Sequence, residues 1–182
     1  MTTSQATQPV TSAGPQFDGA QLQYALEKLR SEQNIMMGLV AGAIAALVGA
    51  GAWAAITVIT EYQIGWMAVG VGFLVGIAMR TFGKGIDRVF GILGATLALC
   101  GCGLGNLLAV CGMIASAQGM GFLDVLSELD LNAVSALMKA TFSPMDLLFY
   151  GIAVYEGYHL SLRQLTQQDV AASVTGSPDR AT

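Results

Sequence analysis

The sequence predicts an all-α polytopic membrane protein with four transmembrane helices. Three observations carry that expectation: residues 35–60 run without a single charge, only 11% of the chain is charged, and glycine occurs 23 times. Soluble domains carry about 25% charged residues, and membrane helices hold glycine more often than soluble ones do.

Residues 1–20 are Thr, Ser, Gln, Ala, Gly and Pro with almost no large apolar groups. They cannot bury enough surface to offset the entropy of ordering, so a disordered N-terminal tail is expected. They also lack the basic start and apolar centre of a secretory signal, so the first span is expected to act as its own uncleaved insertion signal. Residues 21–34, QLQYALEKLRSEQN, place Leu22, Leu26 and Leu29 on one face, with Glu27, Lys28, Arg30 and Glu32 around the rest. That spacing predicts a short amphipathic juxtamembrane helix. It could lie on the membrane surface, run into the next helix or begin a coiled-coil seam, and the segment is too short to choose.

Span one is 35–60, IMMGLVAGAIAALVGAGAWAAITVIT. At about 1.5 Å per residue it crosses a hydrocarbon core of about 30 Å with some tilt. Glu61-Tyr62-Gln63 makes a polar corner, and span two covers 64–80, closing on Arg80. TFGKGIDR, residues 81–88, is a loop rich in glycine and charge. Span three covers 89–117 and is interrupted only by Asn106, which is expected to hydrogen-bond to another helix. Residues 119–142 mix acids with apolar residues at helical spacing, predicting one or two interfacial helices. Ser143-Pro144-Met145-Asp146 then reads as a helix start: Ser as N-cap, Pro at the first helical position, Asp three residues after the cap. Span four follows, about 145–162, completing a membrane domain over 35–163. A flexible C-terminal tail is expected over 164–182.

Orientation follows from the basic residues. With four spans, Lys28, Arg30, Arg80, Lys84, Arg88, Arg163 and Arg180 fall on one side, and only Lys139 on the other. The positive-inside rule then puts both termini and the 81–88 loop in the cytoplasm. Trp53, Tyr62 and Trp66 are expected near the outer interface, and Tyr155 and Tyr158 near the inner one.

Lipid is as apolar as leucine, so the spans need close backbone approach or polar bridging to associate. Small residues recur every fourth position: Ala68, Gly72 and Gly76 in span two, Gly101, Gly105 and Ala109 in span three, with Gly94, Ala98 and Cys102 beside them. Gly38, Gly42 and Ala46 do the same in span one. These grooves serve either packing inside one bundle or, in one case, a second copy of the chain.

The candidate polar site is Glu156, His159, Arg80 and Arg88. Glu156 lies roughly 15 Å along the helix from Asp146, past the bilayer centre, with His159 about one turn further on. A bare carboxylate there is costly, so either a cation pairs with it or it is protonated. Arg80 and Arg88 arrive at the cytoplasmic ends of spans two and three and could reach it. The reading is then a structural knot, a proton- or ion-handling site, or a lipid headgroup contact.

Other chemistry is thin. A net charge of -4 without a basic stripe excludes a nucleic-acid partner. Cys100, Cys102 and Cys111 lack zinc spacing and read as small apolar fillers, so no metal ligands are assigned. No Ser/His/Asp set, HExxH, P-loop or dinucleotide fingerprint is present, so no catalytic residue, no enzyme activity and no cofactor are expected.

The stretch EYQIGWMAVGVGFLVGIAMRTFGKGIDRVFGILGA, with DLLFYGIAVYEGYHLS later, resembles a family of uncharacterised bacterial multi-span inner-membrane proteins with four helices. The likeness covers roughly 38–160. It implies a bacterial inner-membrane location and supplies no catalytic residues. The expected role is a small scaffold or accessory subunit of a membrane complex. The alternative is a homo-oligomeric channel or transporter using Glu156 and His159. The partners expected are the lipid bilayer and a second copy or another membrane protein.

Overall fold

The computed structural model describes residues 18–175, and every element among them is an α-helix: α1 Gly19–Ser31, α2 Ile35–Thr60, α3 Trp66–Gly83, α4 Arg88–Gln118, α5 Phe122–Ser127, α6 Leu131–Thr141, α7 Pro144–Ser161 and α8 Gln167–Thr175. The expectation of a disordered 1–20 falls almost wholly outside the described residues. Three helices, α2, α3 and α4, are long and apolar enough to cross a membrane. The described residues divide into two compact units, one of α1 and α8 and the other of residues 32–164.

In the first unit α1 packs against α8, burying Ala25 and Leu29 on α1 and Val170 and Ser173 on α8. The flexible tail expected from 164 is instead helical over Gln167–Thr175. Asp169 opens that helix by accepting the Thr166 N–H at 3.0 Å. Its few apolar residues find a partner only because the opposite end of the chain supplies one, which a reading of 164–182 alone does not see.

In the second unit four helices run the length of a bundle in alternating directions. Their stops are chemically ordinary. Asn34 caps α2, its side chain accepting from Met37 N–H at 2.9 Å. Glu61 (φ 56°) and Lys84 (φ 49°) turn the chain through the left-handed region after α2 and α3, and Gly119 does so after α4. Helix α3 runs three residues beyond Arg80, taking up the start of the expected loop. At α7 the expected capping box is formed, with Asp146 accepting the Ser143 N–H at 2.8 Å and Pro144 in the first turn.

The bundle is a diamond. Helices α3 and α4 touch each other, and each touches both α2 and α7, whereas the α2 and α7 backbones stay apart. Small residues set the approach. An added Cβ on Gly72 would lie 2.7 Å from Ala153 Cα, and one on Gly76 would lie 2.6 Å from Leu160 Cβ. A Cβ on Gly101 would meet Ala46 and Val71, and one on Gly105 would meet Trp53 and Ala50. Gly94 faces Gly157 and Ser161 of α7, and Gly38 faces Gly83. The small-residue series are therefore filled from within the chain, α3 against α7 and α4 against α2, while Ala68 and Ala98 are fully buried between them.

The core is Trp53, Phe90, Met79, Val71 and Val75 with small residues between. Trp53 is 1% exposed, so it belongs to the core and not to the interfacial belt. It reaches past α3 and α4 to meet Tyr150 of α7 edge-on, ring centroids 6.5 Å apart. Trp66 and Tyr62 are exposed at the α2–α3 end. Beyond that end, α5 and α6 pack on α4, where Cys111, Ala115 and Val125 form a small cluster with Leu137 of α6 against it. Helix α6 buries no residue fully, and its half-buried side is the apolar one, with Val134, Leu137 and Met138, while Asn132, Ser135 and Lys139 are exposed.

Candidate functional site

Three places in the bundle concentrate polar side chains. The first is the expected set on α7 and its neighbours. Glu156 is half-buried on α7, and its backbone carbonyl oxygen lies close to Gly76 of α3. His159 is exposed and stacks on the exposed Tyr155 ring one turn earlier, at 5.3 Å and a 44° tilt. Arg80 and Arg88 are both exposed. Among the described residues no hydrogen bond or ion pair joins Glu156 to His159, Arg80 or Arg88. The chain brings the four to the same end of the bundle but not into one knot. The physical reason is the glycine and alanine face of α7. That face, with Ala153 and Gly157, turns inward against α3 and α4, and so carries His159 round to the outside.

The polar knot at that end is built from other residues. Gln33 Oε1 accepts the N–H groups of Ile86 at 3.0 Å and Asp87 at 3.2 Å, and Gln33 Nε2 donates to Asp87 Oδ2 at 2.9 Å. Asn34 N–H donates to Gly83 carbonyl at 3.0 Å, and Arg163 N–H to Gly85 carbonyl at 2.8 Å. The segment before α2, the α3–α4 loop and the end of α7 are thus tied together by the backbone of one glycine-rich loop. The charge pattern points to other residues at that end, and the one sequence signal of Gln33 is its place just before a helix cap.

The third place is at the opposite end. Asn106 of α4 is 1% exposed, and its Oδ1 accepts a short hydrogen bond from Gln63 Nε2 in the α2–α3 corner. Its Nδ2 points to Met138 Sδ of α6 at 3.9 Å. The expected bond from Asn106 to another helix is therefore made to the corner and to α6. Close by, Tyr150 O–H donates to Cys102 carbonyl at 3.2 Å, and Cys102 Sγ donates to Ala68 carbonyl at 3.6 Å. Trp53 Nε1 and Thr57 Oγ1, one turn apart on α2, are buried without a protein partner.

Among the described residues no three His, Cys, Asp or Glu side chains gather in a way that could hold a metal ion. The cysteines are free, with Cys102 and Cys111 buried and Cys100 exposed. Comparisons of the chain with protein-family models, with known proteins and with solved structures returned no match.

Proposed function

We propose that the chain is a four-span inner-membrane protein of bacteria that serves as a small scaffold or accessory subunit of a membrane complex. Both termini and the 84–88 loop are on the cytoplasmic side in this reading. The observation that carries the fourth span is the pairing of α1 with α8. Helices from the two chain ends that pack on each other must share one side of the membrane, so the crossings between them are even in number. Helix α7, which carries Asp146, Glu156 and His159, is the one long helix left to make up the pair. Its end, at Arg163, returns to the loop where α3 ends and α4 begins. The resemblance noted over residues 38–160 supports the location.

The accessory role is supported by what the bundle spends its polar and small groups on. The named glycines are consumed in packing, and large apolar side chains such as Ile44, Leu47, Ile59, Ile92 and Leu99 face outward. A second reading, an oligomeric channel or transporter, is favoured by one observation: Glu156 is half-buried with no ion-pair partner among the described residues.

Dual reporter fusions after Tyr62, Lys84, Asp130 and Arg163 test the topology. The expected compartments are periplasm, cytosol, periplasm and cytosol. A periplasmic reporter after Arg163 would reduce the crossings to three and overturn the reading. Affinity purification from native membranes followed by native mass spectrometry tests the role. A stoichiometric complex with another membrane protein is expected, and a ring of identical chains would favour the channel instead.

A further inference from the structure

Buried polar side chains are unevenly distributed along the bundle. Thr57 and Asn106 lie toward the Gln63 end, and Trp53 lies one turn inward of Thr57. The layers beyond, toward the basic end, are apolar: Ala46, Val71 and Gly101, then Met79 and Leu97, then Phe90. Ser161 is the remaining buried polar side chain of this unit among the described residues, and it bonds its own helix at Gly157 carbonyl.

At the Gln63 end, two buried side-chain donors lack a protein partner among the described residues. Trp53 Nε1–H is a donor only, and Thr57 O–H is a donor that also accepts. Neither has a protein partner, although the two residues are each 1% exposed. The Asn106 amide nitrogen has only a thioether sulfur at 3.9 Å, a weak acceptor. Helical periodicity puts the three on one side of the α2–α4 contact. Val58 and Gly112 line the outward groove between these helices. Trp53 and Thr57 are displaced from Val58 around α2, and Asn106 is displaced from Gly112 around α4, in each case away from that groove. The Trp53 ring itself lies against Gly105, the neighbour of Asn106.

Buried donors without partners are rare, and the usual resolution is an internal water that accepts from them. We propose that Trp53, Thr57 and Asn106 form a built hydration site, an internal water position in the outer half of the bundle, entered past the exposed Gln63. Water is the occupant because its two lone pairs can accept from Trp53 Nε1–H and the Asn106 amide while one of its hydrogens is donated to the Thr57 oxygen. The side chain of Gln63, already bonded to Asn106, closes the entrance, and the apolar layers below end the wet region. The bundle is thus hydrated from one face only.

Two measurements test this on the full-length protein in nanodiscs. With 15N-labelled tryptophan, and the two indole signals assigned through W66F, the Trp53 Nε1–H proton is expected to show a magnetisation-transfer peak to water. Its absence, with the Trp66 peak present as a control, overturns the site. The second is Thr57→Val, which removes the hydroxyl at nearly constant shape. A bare buried hydroxyl would make valine stabilising, whereas a water-bonded one makes it destabilising. The expected result is a melting temperature lowered by about 2–4 °C. A melting temperature equal to or above wild type overturns the proposal.

Discussion

Gly70 and Gly72 lie two residues apart on α3 and meet opposite surroundings. A Cβ on Gly72 would be 2.7 Å from Ala153 Cα, whereas one on Gly70 would meet nothing within 4 Å. Backbone cannot rotate aside as a flexible side chain can, so Gly72→Ala must push α3 off α7. Its expected cost is about 1–3 kcal/mol. Gly70→Ala is expected to be neutral or stabilising by up to about 1 kcal/mol, since alanine restricts the unfolded backbone more than glycine does. Thermal unfolding of both variants in one detergent checks the pair, and equal behaviour would remove the case for close α3–α7 contact. Glu156 is the other residue whose environment decides the sign. With no hydrogen bond or ion pair to lose among the described residues, Glu156→Gln replaces a half-buried carboxyl group by an amide of nearly the same shape. Its melting temperature is expected to match or exceed wild type, and a clear drop would point back to a charge knot.

At the scale of elements, one side chain at the basic end works on a neighbouring loop. Gln33 makes three hydrogen bonds to Ile86 and Asp87. Gln33→Leu leaves those loop groups without that partner, and buried groups that lose a partner cost about 1–3 kcal/mol each, less where water can reach them. A loss of about 1–2 kcal/mol is expected, with faster hydrogen exchange at the Ile86 and Asp87 amides while amides in the middle of α4 keep their protection. Uniformly faster exchange would mean that the loop is not held locally by Gln33. The helix start at Ser143 is a separate device. Its capping box satisfies N–H groups of the first turn that have no partner within the helix. Ser143→Ala is expected to cost about 1 kcal/mol by thermal unfolding.

For the whole molecule, the arrangement follows from where small residues lie. Helices α3 and α4 form the short diagonal of the diamond because they present small residues on more than one face. Gly72 and Gly76 of α3 and Gly94 and Ala98 of α4 receive α7, while Gly101 and Gly105 of α4 receive α2. Helix α7 runs parallel to α3: Gly72 meets Ala153, and Gly76 meets Leu160. FLVGIAM in α3 and LFYGIAV in α7 share Gly-Ile-Ala but do not pack equivalently. Gly76 is buried against α7, whereas its counterpart Gly151 has nothing within 4 Å. Deleting α8 is expected to loosen α1 and leave the membrane bundle intact, because the two helices form a unit of their own. Limited proteolysis should then cut α1 sooner, with the melting of the residue 32–164 unit unchanged.

Helices α1 to α7 were legible in the sequence, whereas α8 was not. The uncharged 35–60 run, the Ser-Pro-x-Asp start before α7 and the glycine series are local patterns, and local hydrogen bonding and desolvation are enough to interpret them. The side on which each helix turns its polar residues was not legible. Glu156 and His159 share a strip at helical spacing, but only the contact of Ala153 and Gly157 with α3 and α4 decides that His159 points away from the bundle. Trp53 read as an interfacial aromatic because its depth along span one suits a belt, yet the gap opposite Gly105 draws the indole inside. Gln33, Asn106 and the α1–α8 pair depend on groups 54, 43 and more than a hundred residues away. Periodicity reports which residues share a face, and only packing between distant segments chooses what that face meets.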